Sequence, residues 1–323
     1  MNVLVTGATG FVMANLVRHL AADGHHVVAA DRVAPDDALK RFTTGLPGRV
    51  EFRTLDVKDR NAIRGLVAGA RPARVVHGAA ITSVPPEAER ARFLDTVEVN
   101  VLGTLNMLDA LREAGAGRVV VVSSGSVYGS RPHAMPVTEN DVNQPIGVYP
   151  WSKWAGESFA RRFAEVHRLD VAVVRLASPF GPFERDTGSR PLLSPVAYWT
   201  LAALRGQPIH VPGPKTFMRD AIYAPDVASG IAAVLLADRL GHDVYNVGWG
   251  RGTTSEATIA ALERLLPGLK IEFHPEQPSP WGHTARGPLA IDRLRDDLGW
   301  RPQHDLDSGL AGYVDWLRSE RLA

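Results

Sequence analysis

Three residues could together take a proton from an alcohol: Ser124, Tyr149 and Lys153. Tyr149 and Lys153 stand four positions apart, a spacing that puts two side chains on one face of a helix. Ser124 closes the run VVVVSS that begins at Val119, so its hydroxyl would arrive from the end of a strand. A phenol beside an ammonium, with a second hydroxyl facing it, suits removal of a proton from a carbinol. A free tyrosine titrates near pH 10, and poising it near neutrality takes about three pH units, roughly 4 kcal/mol. One cation at ~4 Å in an effective dielectric of ~20 supplies about that much. A Tyr and a Lys one turn apart are otherwise an ordinary surface pair, so the case rests on what surrounds them.

The elements that would position these groups begin at the amino terminus. Asn2–Thr6 reads as a short apolar strand, and Gly7-Ala8-Thr9-Gly10 as a tight turn into an apolar-periodic helix over 11–20, opening with Phe11 and Val12. Strand, glycine turn and helix make a phosphate cradle, because free backbone N–H groups and the helix dipole converge on an anion. Met13 stands where the usual third glycine would lie, and it should push the helix outward or bend aside. Residues 26–30 read as a second strand ending at Asp31, roughly 20 positions beyond the turn, where a carboxylate can hold an adenosine ribose. That favours NAD over NADP, although the neighbouring Arg32 could hold a 2′-phosphate. A third strand over 50–55 leads to Asp56-Val57, where a carboxylate could meet the adenine amino group.

Residues 75–80 form a strand running into small residues, and Ala79 and Ala80 would let the backbone approach a dinucleotide closely. His77 reads as a packed histidine. Residues 92–114 read as one long helix, with Asn100 on an inward face, where it bridges to the catalytic helix or satisfies a buried carbonyl. The apolar run 119–123 suits a strand buried on both faces of a parallel sheet, and ligands of such sheets sit beyond the strands' carboxyl ends. Tyr149 precedes Pro150, which suits a first helical turn, so Tyr149 is expected at a helix entrance facing the same cleft as Ser124.

Bulk properties restrict the rest. At 323 residues the chain suits an α/β unit with a smaller appended domain. A net charge of +1 points to neither nucleic acid nor an anionic membrane surface. The absence of cysteine excludes disulfides, thiolate metal sites and cysteine nucleophiles. The histidines show no His-x-x-x-His spacing on an expected helix, so no metal is expected. The amino terminus has no signal-peptide pattern and no run reaches the length of a membrane span; a cytoplasmic protein is expected. Amphipathic helices are expected over 226–240, 254–266 and 307–318, with a strand at Val244–Val247.

With these residues in place, the chain resembles an extended short-chain dehydrogenase/reductase of the nucleotide-sugar epimerase/dehydratase branch over nearly its whole length. The resemblance rests on Gly7 and Gly10, Asp31, Asp56-Val57, His77-Gly78-Ala79-Ala80, Asn100 with Gly103-Thr104, Ser123-Ser124 before Val127-Tyr128-Gly129, Glu139, Tyr149, Lys153 and Glu157. It implies an α/β fold: a Rossmann-type doubly wound parallel sheet with a smaller C-terminal α/β substrate-binding lid. The expected division is an NAD-binding domain over 1–177, with returning segments at 221–250, and a mainly substrate-binding region over 178–323.

The same resemblance implies that Ser124 and Tyr149 bind the reacting hydroxyl, that Tyr149 is the acid/base, and that Lys153 binds the nicotinamide ribose while lowering the tyrosine pKa. Cofactor contacts are expected from Gly7, Gly10, Phe11, Val12, Asp31, Arg32, Asp56, Val57, Ala79, Ala80, Asn100, Ser123, Tyr149 and Lys153. Substrate contacts are expected from Thr82, Ser124, Ser126, Ser178, Arg219 and Arg286. Dehydratases of the family carry an acidic pair directly after the position of Ser124, where this chain has Gly125 and Ser126, so dehydration is disfavoured. Ser178 replaces an asparagine that often contacts a diphosphate in relatives. Arg219-Asp220 matches a pair whose arginine commonly binds phosphate, with an internal ion pair to Asp220 or Asp226 as an equal alternative. Arg286, in a longer loop, is the candidate replacement for a third handle. Losing two such hydrogen bonds, each worth roughly 1–3 kcal/mol, makes a smaller anion such as a sugar acid a serious rival substrate.

The leading expectation is an NAD-dependent epimerase acting on a small-molecule sugar, as a homodimer built through the helices around Asn100 and Tyr149. The rivals are an NAD-dependent dehydrogenase of a sugar acid or related alcohol, and a non-catalytic NAD-binding scaffold.

Overall fold

The computed structural model describes residues 1–82, 86–131, 135–281 and 287–320, and Arg286 lies outside them. The first half alternates strand and helix: β1 (Asn2–Thr6), α1 (Phe11–Ala22), β2 (His26–Asp31), α2 (Asp37–Thr43), β3 (Arg49–Thr54), α3 (Arg60–Ala70) and β4 (Arg74–His77). After these come α4 (Pro86–Val97), a π-helical turn (Glu98–Leu102), α5 (Gly103–Ala114), β5 (Val119–Ser124), α6 (Val148–His167) and β6 (Val171–Leu176). The second half contains β7 (Ser178–Phe180), α7 (Pro195–Leu204), β8 (Ile209–Pro212), β9 (Met218–Arg219), β10 (Ala221–Tyr223), α8 (Ala224–Leu236) and β11 (Val244–Val247). It closes with β12 (Thr253–Thr254), α9 (Ser255–Leu265), β13 (Ile271–His274), α10 (Asp292–Leu298) and α11 (Leu306–Ser319).

Seven strands form one parallel sheet in the order β11-β6-β5-β4-β1-β2-β3. The apolar runs seen in sequence explain it, since Val3, Leu4, Val5, Val75, Val76 and Val120 have no exposed surface. Alternate residues go to opposite faces. Val3, Val5, Val120 and Val174 pack with Leu16 and Leu20 of α1 and Ile231 and Leu235 of α8. Leu4, Val28, Val75 and Val121 pack with Ile63 of α3, Met107 and Leu111 of α5 and Ala160 of α6. Because β1 has β2 on one side and β4 on the other, chain direction across the sheet reverses there and opens a crevice at the strands' carboxyl ends.

Three two-stranded ribbons stand beyond those ends: β7 with β10 and β8 with β13, both parallel, and β9 with β12, antiparallel. Phe180, Trp199, Ile209, Val211, Tyr223, Leu262, Leu310 and Tyr313 form their shared core with α7, α9 and α11. Helix α8 and strand β11 lie with the large sheet rather than with this second core.

The helix expected over 92–114 is broken by the π-helical turn, which places Asn100 inside it. Helix α7 begins at Pro195, where the Ser194 side chain caps Ala197 N–H and Pro195 occupies the first turn. Among the described residues, no helix is long and apolar enough to cross a membrane.

Candidate active site

The crevice is a cavity of about 860 Å³ whose lining runs from the Gly7–Gly10 turn, across the ends of β2, β4, β5 and β6, to Arg219 and Trp281. On one wall, Gly7 has φ +72°, and a Cβ there would sit 2.8 Å from the backbone N of Ala79, so only glycine closes this turn. The Gly10 N–H donates to the Gly7 carbonyl at 2.9 Å, and Gly10 begins α1 without a side-chain cap. The first-turn amides of Phe11 and Val12 thus stand at the crevice with no side-chain acceptor over them. Asp31 is held by two backbone donors, Thr9 N–H at 3.0 Å to Oδ2 and Val33 N–H at 3.1 Å to Oδ1. Arg32 lies beside it at the exposed rim, and Asp56, Val57, Ala79 and Ala80 continue the wall. Asp56 Oδ1 accepts from Lys58 N–H at 2.9 Å.

Met13 turns its side chain towards the chain leaving β4. It is buried, and its thioether occupies the space that a Cβ on Gly78 would need. The missing glycine of the helix is therefore compensated by a glycine across the contact, just after β4. His77 is packed as expected: its Nδ1 lies 2.8 Å from Thr6 Oγ1. Burial, with the Lys153 charge acting in the same direction, pushes its pKa down to about 3.

Ser124, at the end of β5, caps the turn that follows it: its Oγ accepts from Ser126 N–H at 3.1 Å and lies 2.9 Å from Ser126 Oγ. Tyr149 stands in the first turn of α6, near enough to Ser124 for that hydroxyl to act on the phenol. Lys153, one turn on, is buried, and burial lowers its pKa to about 8 against the opposing pull of Glu157. Burial raises the Tyr149 pKa, while the Ser124 hydroxyl and the positive charge of Arg190 pull it down. Arg190 is thus a cation acting on the phenol that sequence reasoning did not single out.

Behind the catalytic helix a buried network fixes its register. Glu157 pairs with Arg175, whose Nη1 donates to Tyr128 Oη at 2.8 Å; Tyr128 donates to Asn246 Oδ1 at 2.8 Å. Burial works against the Arg175 charge, but Glu157 and Tyr128 outweigh it and hold the guanidinium protonated. Glu139 accepts from Asn246 N–H at 2.8 Å, and burial raises its carboxyl pKa. Asn100 does not line the crevice. Its side chain bonds both backbone groups of Ile81 at 2.9 Å and Ser152 Oγ at 2.8 Å, and Ser152 Oγ in turn donates to the Tyr149 carbonyl at 2.8 Å. It therefore ties the segment after β4 to the first turn of α6. Ser123 is buried, with a hydroxyl that has no partner among the described residues.

The opposite wall belongs to the second half. Thr82 is tied to it, its N–H donating to the Ser189 carbonyl at 2.9 Å. Ser126 and Ser178 face the cavity. Arg219 donates to the Trp281 carbonyl at 2.6 Å and lies over the Phe217 ring. Asp226 is engaged by His304, and Asp220 accepts from the backbone N–H groups of Trp249, Gly250 and Leu289. Sequence reasoning missed Arg190 and Glu184. Glu184, fully enclosed, accepts from Arg190 at 2.7 Å and from both the N–H and the hydroxyl of Ser194. Arg190 also lies over the Phe11 ring, 5.1 Å from its centroid. The available signal was the long connection 181–194, since loops above about 12 residues in compact domains are usually functional.

The residues present fit a dinucleotide: a glycine turn that any Cβ would block, a side-chain-free helix start and an anchored carboxylate at the end of β2. Comparison with known proteins agrees. The model of the NAD-dependent epimerase/dehydratase family matches residues 3–248. The UDP-glucose 4-epimerase of Mycolicibacterium smegmatis is 32% identical over 322 residues, 99% of each chain. A probable dTDP-glucose 4,6-dehydratase of Sinorhizobium fredii is 29% identical, covering 98% of this chain and 92% of its own length. The crystal structure of UDP-glucose 4-epimerase from Stenotrophomonas maltophila, with bound NAD and formylated UDP-arabinopyranose, superposes over the whole of both chains with a TM-score of 0.88 at 27% identity. The chain belongs to the NAD-dependent epimerase/dehydratase family of extended short-chain dehydrogenases/reductases.

Proposed function

We propose that the protein is a nucleotide-sugar 4-epimerase that inverts a ring carbinol, with UDP-hexoses as the first substrates to try. The observation that carries this reading is the Ser124 hydroxyl acting on the Tyr149 phenol, with Lys153 buried one turn away, in the lining of the glycine-turn crevice. NAD held in the crevice would supply a reversible acceptor for the carbinol hydride. Tyr149 takes the hydroxyl proton and gives it back, and Ser124 holds the oxygen in line with the phenol. Lys153, charged below about pH 8, anchors the nicotinamide ribose. Arg190 favours the phenolate through its charge. Gly7, Gly10, Phe11, Val12, Asp31, Asp56 and Val57 hold the dinucleotide, while Ser126, Ser178 and Arg219 hold the sugar nucleotide.

Elimination of water would need a carboxylate beside Ser124. A side chain on Gly125 would meet Leu289 and the Leu176 carbonyl at 3.2 Å, and Ser126 is already bonded to Ser124. This supports inversion over dehydration.

A second reading, oxidation of a sugar acid with release of reduced cofactor, is favoured by Ser178 in place of the asparagine on the diphosphate side. Assay of NAD in the supernatant of denatured protein separates the two. One equivalent of retained NAD, with interconversion of UDP-glucose and UDP-galactose, supports the epimerase. Empty protein that reduces added NAD with a sugar acid supports the dehydrogenase.

The same reading makes the molecule a cytoplasmic homodimer with NAD on residues 1–177 and 221–250. Exposed Phe93, Leu94, Leu102, Trp151 and Phe159, on the neighbouring segments α4, the π-helical turn and α6, supply an apolar face for such a dimer. A monomer mass by light scattering would count against it.

A further inference from the structure

On the ribbon formed by β8 and β13, Glu272 lies directly opposite His210, and His274 lies opposite Pro212. Side chains two positions apart on a strand share a face, so Glu272 and His274 project together, with His210 beside them. His210 Nδ1 is 3.1 Å from Glu272 Oε2 and 3.2 Å from His274 Nε2. Glu272 Oε2 is 3.6 Å from His274 Nε2, and the two imidazole rings are stacked with an interplanar angle of 24°. Three potential ligand atoms therefore form a triangle with edges of 3.1–3.6 Å.

A tetrahedral ion bound at about 2.0–2.1 Å holds its ligand atoms about 3.3–3.4 Å apart, so the triangle already has the size of one face of such a coordination shell. Two imidazole nitrogens and a carboxylate oxygen select a borderline-soft divalent transition metal over magnesium or calcium, which want oxygen ligands. The scaffold is firm. Ile209 and Val211 are fully buried, Trp199 Nε1 donates to the His210 carbonyl at 3.1 Å, and Gly213 N–H donates to the His274 carbonyl at 3.0 Å. The ligand side is open, with His210 and Glu272 each about half exposed. None of the three residues lines the catalytic crevice.

We propose that His210, Glu272 and His274 form a binding site for a zinc-class divalent ion, with a fourth coordination position open to solvent. The ion pins β8 to β13. The chain leaving β13 returns to the crevice at Trp281, whose indole donates to the Leu193 carbonyl and whose own carbonyl takes Arg219.

The test is titration of chelator-stripped full-length protein with zinc chloride against a chromophoric chelator, alongside His210→Ala, Glu272→Gln and the double variant His210→Ala/His274→Ala. The expected result is one equivalent bound with micromolar or tighter affinity and a rise in Tm of a few degrees at saturating zinc. Glu272→Gln should weaken binding about tenfold and the double variant should abolish it, with far-ultraviolet circular dichroism unchanged. Absence of any bound equivalent in the wild-type protein overturns the proposal. So does undiminished affinity in the folded double variant, which would place the zinc on other histidines.

Discussion

On the wall of the crevice formed by β1, β2 and β4, each group is positioned by the strand or turn that carries it and by backbone partners close at hand. Gly7 and Gly10 shape one turn, and Asp31 is gripped by amides of its own and the neighbouring loop. On the wall formed by 178–194, 217–220 and 281, the groups are held by contacts between distant segments: Thr82 with Ser189, Arg190 with Glu184, Arg219 with Trp281. The first wall is a property of local chain geometry, and the second exists only once several loops have docked. A site built this way can keep its cofactor grip constant while its substrate grip varies.

The sharpest way to break that contrast is Gly7→Val. Its φ of +72° and the Ala79 backbone leave no room for a branched side chain, so purified protein should carry no NAD and show no measurable turnover. Retained NAD would show that the cradle is not there. Arg219→Ala should act on the other wall alone, raising KM for a nucleotide sugar by about 10–100-fold, the range of one charge-assisted hydrogen bond, with NAD content unchanged. A fall in NAD content instead would erase the distinction between the walls.

Lys153→Met sharpens it in a different way. The folded-state pKa of about 8 lies below the 10.5 of a free lysine, so keeping Lys153 charged at neutral pH costs the fold of the order of 1–3 kcal/mol. That cost disappears as pH rises from 8 towards 10.5. The variant should lose activity yet melt a few degrees higher at pH 7, and a lower Tm would contradict the burial cost.

His77 gives the smallest effect near neutrality. Its folded pKa of about 3 lies below the free value of 6.5, so the unfolded chain binds the extra proton between those values and stability falls as pH drops through that window. Denaturant midpoints of the wild-type protein should fall below pH 6.5 more steeply than those of His77→Gln. Parallel curves would mean that His77 is not buried in its neutral form.

The same contrast explains what could be read from sequence. The glycine turn, the carboxylate ending β2, the valine run ending at Ser124 and the four-residue spacing of Tyr149 and Lys153 need only local geometry to be interpreted. Met13 was legible as a departure but not in its outcome, because its partner Gly78 comes from β4. In the segment 92–114 the π-helical turn ending just before Gly103 has its reason in Asn100 reaching Ile81 and Ser152, contacts that lie outside the helix. The charge of Arg190, which opposes the upward push of burial on Tyr149, comes from a loop 41 residues further along the chain. His210, Glu272 and His274 escaped a search for helical histidine spacing because they meet through the register of two strands.

The central claim is that the Tyr149 phenol carries the carbinol proton. The direct measurement is kcat for UDP-glucose/UDP-galactose interconversion by Tyr149→Phe against wild type at matched NAD content. Loss of a general acid–base predicts a fall of about 10²–10⁴-fold in kcat with retained NAD and little change in KM. A variant that turns over within threefold of wild type would contradict the account.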